Sequence, residues 1–276
     1  MTNKFCVVGS PIQHSLSPVI HQAAYEAIGL DFSYERHEVA QGNLSEFLTK
    51  NGYSGVSVTM PLKNEAFSIA SEHSEEALQT SVVNTMVRSR DAYVGYNTDV
   101  AGFIGIFGQI SAPSSISLIG SGATARSAAL AISRSFPGSE LSVLARSEAS
   151  STDLVLLARG FGLEAQSGIA SGESLVDSDL VVSTVPGNAF GDLWHQVSGS
   201  SRSAQGVLID VTYNPWPSVA SSAWTGLSFS GLELLIWQAI EQVKLFADSQ
   251  GKSIDTSNKE LYEIMMQAAR KFSDPK

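Results

Sequence analysis

The sequence predicts a two-lobed α/β protein whose second lobe is a doubly wound parallel sheet. Three observations lead there. The chain has 276 residues, more than one hydrophobic core usually organises. Short apolar runs rich in β-branched residues alternate with longer amphipathic stretches along most of it, as successive strand-helix units do. The residues after 231 carry two helical patterns and no strand pattern, so they must pack on a layer built earlier in the chain.

Composition narrows the class. Hydrophobic residues make up 43% of the chain and charged residues 16%, a balance that excludes collagen-like, coiled-coil and disordered proteins. No apolar run reaches the roughly 18 residues that a membrane-spanning helix needs, so no membrane role is expected. Met1 to Lys4 lead straight into Phe5-Cys6-Val7-Val8 without the flanks or cleavage site of a signal peptide, and a cytoplasmic location is expected. The single cysteine, Cys6, lies in that apolar run, reads as a small core residue and fits a reducing compartment. A formal net charge of −10 disfavours nucleic acid as a partner. It also requires any bound small anion to be held locally, by hydroxyls, backbone amides and a few cations.

In the first lobe, Phe5 to Val8 read as a strand, followed by a helix with Ser17 as N-cap and Pro18 in its first turn, ending near Gly29. The unit repeats with a strand over 32–39 and a helix over 44–50, then with a strand over 55–59 and a helix after Pro61. Residues 82–87 and 92–94, separated by Arg88 to Asp91, read as a hairpin. A sheet parallel in its core with an antiparallel edge follows. Residues 95–99 break the last strand and cap an apolar helix from about Val100 to Ile110.

From Ile116 a second alternation begins: strand 116–119, helix 125–136, strand 141–144, helix 152–159, strand 180–184 and strand 207–211. Two final helices, from Leu232 to about Asp248 and from Asn258 to Phe272, return to the first lobe and bridge the two. The expected domains are therefore 1–100 plus 232–276, and 101–231.

The second lobe carries a ligand signal. Between its first strand and helix stands Gly120-Ser121-Gly122-Ala123-Thr124-Ala125, a G-x-G-x-x-A loop. Gly120 permits the tight turn, Gly122 lets a pyrophosphate approach the backbone, and Ala125 lets the helix pack closely, with its N-terminus facing the negative charge. The next strand ends Ala145-Arg146-Ser147, without an acidic residue to accept from a ribose 2′-hydroxyl. Arg146 can fork onto a 2′-phosphate and Ser147 can add a hydroxyl, so NADP is preferred to NAD. Thr184 and Val211 stand at the ends of later strands, where an open α/β sheet lines its ligand crevice. The second lobe thus reads as a Rossmann-type NADP-binding domain.

In the first lobe, the loop 9–18 gathers Ser10, Ser15 and Ser17 ahead of a helix N-terminus, and small hydroxyls there suit an anion. Lys63 falls in the first turn of a helix, where a cation opposes the macrodipole. A lysine so placed invites a functional reason.

Taken together, the motifs G-S-P-I-x-H-S-L-S-P at 9–18, S-V-T-M-P-L-K at 57–63, V-N-T at 83–85, G-Y-N-T-D at 95–99, the glycine loop, A-R-S at 145–147, D-V-T-Y-N-P at 210–215 and G-L-E-L-L-I-W-Q-A at 231–239 resemble the shikimate dehydrogenase family, in order and across nearly the whole chain. The resemblance implies NADP-dependent reduction of 3-dehydroshikimate to shikimate, in aromatic amino-acid biosynthesis, by a monomer or homodimer. It implies that Ser15 and Ser17 bind the substrate carboxylate and that Thr59, Asn84, Asp99 and Gln238 hold ring hydroxyls. It further implies that Lys63 and Asp99 form the catalytic pair, that Tyr213 approaches the substrate, and that Gly231 lies near the nicotinamide. Ser57 stands where many members carry Asn, Ala123 where a glycine is frequent, Ser147 where a threonine is frequent, and Trp237 where histidine is common. These departures leave the proposed catalytic groups in place but bear on cofactor preference and on acceptance of quinate. An NAD-dependent quinate/shikimate dehydrogenase and a non-catalytic binder of NADP are the alternatives. The five histidines show no metal-ligand spacing, so no metal is expected.

Overall fold

The computed structural model describes residues 3–145, 148–168, 171–185, 191–200 and 203–273. The sequence expectations for Arg146 and Ser147 lie outside those residues. The chain divides into two compact units, Met1–Gly102 with Leu235–Lys276, and Phe103–Leu234.

The first unit runs β1 (Lys4–Gly9), α1 (Ser17–Ala27), β2 (Ser33–Glu38), α2 (Leu44–Asn51), β3 (Gly55–Val58), α3 (Lys63–Ile69), β4 (Glu72–His73), α4 (Glu75–Thr80), β5 (Thr85–Ser89), β6 (Ala92–Tyr96) and the start of α5 (Asp99–Phe107). Its sheet has the order β2-β1-β3-β5-β6-β4. The pairs β1-β2, β1-β3 and β4-β6 are parallel, and β5 runs antiparallel to both β3 and β6. β3 is buried along its whole length, as a strand covered on both faces must be.

Three local expectations need correction. Ser17 is not the N-cap of α1; Leu16 occupies that position without a side-chain cap, and Ser15 Oγ accepts from Ser17 N–H at 3.3 Å instead. That bond is a local turn contact between residues two apart, and the Ser17 hydroxyl has no capping role. The hairpin begins at Thr85, because Val82 to Asn84 connect to it as a loop, and its turn is shortened to Arg90-Asp91, with Arg90 at φ 55°. β4 and α4 escaped the sequence reading, since a two-residue strand and a one-turn helix leave no periodicity to detect.

The second unit continues from α5 with β7 (Ser115–Ile119), α6 (Ala123–Ser135), β8 (Glu140–Leu144), α7 (Glu148–Gly160), β9 (Glu164–Gly168), α8 (Gly172–Val176), β10 (Leu180–Ser183), α9 (Gly191–Gly199), β11 (Val207–Asp210), α10 (Val219–Ala223) and β12 (Ser228–Phe229). All its strand pairs are parallel, in the order β12-β11-β10-β7-β8-β9. Numbered from β7, this is 3-2-1-4-5-6 read from the β9 edge, the doubly wound order with its switch point between β7 and β10. β9, α8, α9, α10 and β12 are additions to the sequence reading; the polar Glu164-Ala165-Gln166-Ser167-Gly168 run disguises an edge strand.

α11 (Gly231–Ser249) and α12 (Asn258–Ser273) close the chain. From Leu235 onward they belong to the first unit. Phe246 on α11 stacks on Phe5 with centroids 4.6 Å apart, and a Cβ on Gly55 would meet the Phe246 ring at 2.4 Å. The bare glycine in β3 is what lets the helix lie against the sheet. Burying one such ring contributes roughly 2 kcal/mol.

Candidate active site

The first unit brings its predicted polar residues to one end of its sheet. β1 and β3 are parallel neighbours, so the serine loop after β1 and Thr59 after β3 emerge at the same edge. β5 is antiparallel to β3, with Thr85 opposite Ser57, so Asn84 arrives there from the other direction. Tyr96 pairs with Thr85, and Asp99 follows at the start of α5. Topology alone therefore gathers residues from four separated segments.

Lys63 Nζ donates to Asp99 Oδ2 at 2.6 Å, and only 14% and 8% of the two side chains remain exposed. Asp99 Oδ1 accepts from Asn84 Nδ2 at 2.7 Å. Asn84 Oδ1 in turn accepts from Thr98 N–H at 2.8 Å. Gln238, one-sided on α11, accepts through Oε1 from Thr98 Oγ1 at 3.3 Å and from Asn84 Nδ2 at 3.4 Å, while its own Nε2 donates to Leu235 O at 2.7 Å. Asp99 also opens α5, where a carboxylate complements the helix dipole. Lys63 opens α3, where a cation is opposed by the dipole, and the Asp99 carboxylate supplies the compensation.

The serine loop is held in place by close backbone approach. A Cβ on Gly9 would meet Thr59 Cγ2 at 2.4 Å and Met60 O at 2.9 Å, so only glycine lets the two loops touch. Ser10 N–H donates to Met60 O at 3.0 Å and Thr59 N–H to Val8 O at 2.9 Å. Arg36 Nη1 donates to Ser15 O at 3.2 Å and fixes the loop from β2. Ser17 is buried, and its carbonyl accepts from His21 Nδ1 at 2.9 Å. The His21 ring stacks on Tyr34 at 4.0 Å, and burial depresses its pKa to about 4, so the imidazole is neutral at physiological pH.

In the second unit, the glycine loop connects β7 to α6. Gly120 adopts φ +110°, and a Cβ there would meet Thr184 Oγ1 at 2.4 Å. Thr184 Oγ1 donates to Ile119 O at 2.8 Å, so the Thr184 side chain braces the turn from β10 across the switch point. Gly122 is the N-cap of α6 and provides no side-chain cap, and a Cβ on it would point into open space. None of the described residues requires glycine there, whereas a bound pyrophosphate would. Ala125 is fully buried against the sheet. Ser121 completes the turn, Ala123 and Thr124 open α6, and Ala145 follows β8, with Leu144 O accepting from Gly120 N–H at 2.9 Å. The loop fits a dinucleotide phosphate on these grounds.

Tyr213 and Val211 follow β11, and burial raises the Tyr213 pKa. Asp210, whose pKa burial also raises, accepts from Ser218 Oγ at 2.6 Å and Thr212 N–H at 3.1 Å and shapes that turn. Gly231 has a packing reason of its own: a Cβ would fall 1.9 Å from Val211 O.

Lys63, Asp99, Asn84 and Gln238 are thus in direct contact, and Ser15, Ser17 and Thr59 flank the same sheet edge. Sequence reading missed Thr85 and Thr98, which bond to Asn84, and Gln242 and Tyr34, which bond to Ser57. One signal was present: Gln238 and Gln242 are four residues apart in an otherwise apolar helical stripe, so they share a face. Among the described residues, no cluster of three or more His, Cys, Asp or Glu side chains could hold a metal ion.

Comparison with known proteins places these features in a family context. Residues 7–86 match a family model described as the shikimate dehydrogenase substrate binding domain. The crystal structure of Mycobacterium tuberculosis shikimate dehydrogenase is 30% identical and superposes with a TM-score of 0.83, covering 97% of this chain and 98% of that one. The Thermus thermophilus shikimate 5-dehydrogenase in complex with NADP(H) and shikimate is 26% identical with a TM-score of 0.75, covering 97% and 100% of the two chains. A shikimate dehydrogenase (NADP(+)) of Desulfitobacterium hafniense (strain Y51) is 27% identical over 275 residues, spanning 96% of this chain and 99% of that protein.

Proposed function

We propose, from the premise that this chain belongs to the shikimate dehydrogenase family, that it catalyses the reversible NADPH-dependent reduction of 3-dehydroshikimate to shikimate. The observation that carries this reading is the enclosed Lys63–Asp99 pair, set among Asn84, Gln238, Thr59 and the two loop serines. A protein that merely bound the cofactor would have no use for a nearly buried ammonium beside a carboxylate.

When bound, NADPH supplies the hydride. As the carbonyl carbon becomes tetrahedral, negative charge grows on its oxygen, and a proton must reach that oxygen. Lys63 Nζ supplies the proton and stabilises the charge; Asp99 holds Nζ in place and stays an acceptor throughout. In the oxidative direction Lys63 takes the proton back. Ser15 and Ser17 receive the substrate carboxylate, and Thr59, Asn84, Asp99 and Gln238 receive ring hydroxyls, which orients the reacting carbon. The net negative charge of the protein makes such local anion binding necessary. Tyr213 would be a further substrate contact.

On the second unit, the loop from Gly120 to Ala125 would hold the pyrophosphate, and Ala145, Arg146, Ser147, Thr184, Val211 and Gly231 would complete the NADP site. Arg146 and Ser147 give the preference for the 2′-phosphate. A small-molecule metabolite is the only partner the reading requires, and the chemistry belongs to the cytoplasm, where the cofactor is available.

The test is spectrophotometric. Shikimate with NADP should give a rise in absorbance of the reduced cofactor, faster than with NAD at equal concentration. No rise with either cofactor, at any shikimate concentration, would refute the reading.

A further inference from the structure

Behind the Lys63–Asp99 pair lies a chain of buried hydrogen bonds in which every donor points the same way. Tyr34 Oη donates to Ser57 Oγ at 2.6 Å, and Ser57 Oγ donates to Gln242 Oε1 at 2.8 Å. Gln242 Nε2 donates to Thr85 Oγ1 at 2.8 Å, Thr85 Oγ1 to Asn84 Oδ1 at 2.9 Å, and Asn84 Nδ2 to Asp99 Oδ1 at 2.7 Å. All six residues are buried, with Gln242 only 1% and Thr85 0% exposed.

We infer that Gln242 is a positioning residue of this enzyme: by bridging Ser57 and Thr85 it sets the direction of the Thr85 hydroxyl, and through Asn84 it holds Asp99 on the Lys63 ammonium. The inference rests on the acid–base reading given above. Its logic is one of proton direction. A hydroxyl both donates and accepts, so the Thr85 hydroxyl by itself could point toward Asn84 or away from it. The Gln242 N–H fills one acceptor site of Thr85 and leaves the Thr85 proton to Asn84 Oδ1 at 2.9 Å, the nearer of its two acceptors, the other being Thr98 Oγ1 at 3.2 Å. Asn84 Oδ1, held from one side by Thr98 N–H at 2.8 Å, is then held from the other by Thr85, and Asn84 Nδ2 is turned to Asp99 Oδ1.

The orientation of Gln242 is set in turn from the far end. Its Oε1 receives the Ser57 proton because Tyr34 has already donated to Ser57. Burial raises the Tyr34 pKa well above its ordinary value, so the phenol keeps its proton over the whole working range. Each polar group in the relay therefore has a defined partner, in a region where an unsatisfied one would be costly. Ser57 is a residue in which this sequence departs from its family, and the relay gives that departure a use: a short hydroxyl leaves room for the longer Gln242 to reach across from α11.

Steady-state kinetics on the full-length protein test the inference. Gln242→Met keeps the length and removes both polar ends; Gln242→Glu has no N–H to give Thr85. Both should lower kcat on the order of 10- to 100-fold, with KM for 3-dehydroshikimate and NADPH changed by less than about threefold. Thr85→Val, which breaks the relay one link later at nearly constant volume, should do the same, and Thr85→Ser should restore kcat to within about twofold of the parent. The Gln242→Met/Thr85→Val double variant should be no slower than the worse single one, since both cut the same relay. An active parent with unchanged kcat in Gln242→Met, losses that multiply in the double variant, or a Thr85→Ser variant as slow as Thr85→Val would each overturn the inference alone. A parent without any turnover would overturn the acid–base reading and this inference together.

Discussion

Lys63 Nζ and Asp99 Oδ2 stand 2.6 Å apart although the residues are 36 positions apart in sequence, and the pair is almost closed off from solvent. Proximity of that kind places a proton donor of fixed direction at the sheet edge. Lys63→Met keeps the aliphatic stem and removes the donor. It should reduce kcat by about 10²- to 10⁴-fold while leaving the Kd for NADPH near its original value. Retained turnover in the purified, folded variant would show that another group supplies the proton.

Asp99→Asn should separate charge from shape. The amide keeps the shape but has one acceptor oxygen where the carboxylate has two, so its NH2 must face either Lys63 Nζ or Asn84 Nδ2, and the Lys63 ammonium loses its counter-charge in a site with little solvent. Stability should fall by about 3 kcal/mol, read as a lower denaturation midpoint in urea. Adding Lys63→Met to Asp99→Asn should recover part of that loss, because the uncompensated charge is then gone. Additive losses in the double variant would contradict the coupling.

The glycines of the β7–α6 loop should respond differently to substitution. At Gly122, open space and φ outside the left-handed region mean that Gly122→Leu should fold with an almost unchanged Tm. Its side chain would fill the place of the pyrophosphate, and NADPH affinity should drop at least roughly 10-fold by fluorescence titration. Gly120→Ala, by contrast, meets the Thr184 side chain and adopts a left-handed φ, so it should cost about 2 kcal/mol of stability as well. Equal Tm losses in the two variants would remove the distinction.

His21 should make the protein sensitive to acid. Its pKa falls from the ordinary 6.5 to about 4 on folding, chiefly because burial disfavours the imidazolium. Between those two values the unfolded chain binds a proton that the folded chain refuses, so stability decreases as pH falls through this window. The full effect is roughly 3 kcal/mol, of which about 2 kcal/mol has been lost by pH 5. Urea melts of the parent and of His21→Gln at pH 7.5 and pH 5 should show a steeper loss in the parent. Parallel losses would mean that His21 is not the titrating group.

Much of the fold was legible in the residue order because its causes are local. Short apolar runs of four or five residues mark β1, β7 and β10, and helical periodicity marks α6, α11 and α12. What was misplaced was short or ambiguous. β4 and α4 are too brief to show a period, and Ser17 met every rule for an N-cap while Ser15 took the hydrogen bond. Ser17 would cap only if the helix began one residue later, and the backbone instead takes helical angles at Leu16.

The residue order by itself determined the glycine loop and its strand-helix setting, the serines ahead of α1, the lysine at the start of α3 and the acidic residue that opens α5. Each of these depends on neighbours a few positions away, where chain geometry leaves little choice. Only the tertiary structure decided that Asn84 would face Asp99 with its nitrogen, and that Gln242 would span Ser57 and Thr85, 185 and 157 positions distant. Those contacts follow from how the sheet registers its strands and from where Phe246 seats α11 over Gly55. A side chain's partner across such distances is fixed by the packing of whole elements, and the local sequence holds no term for it.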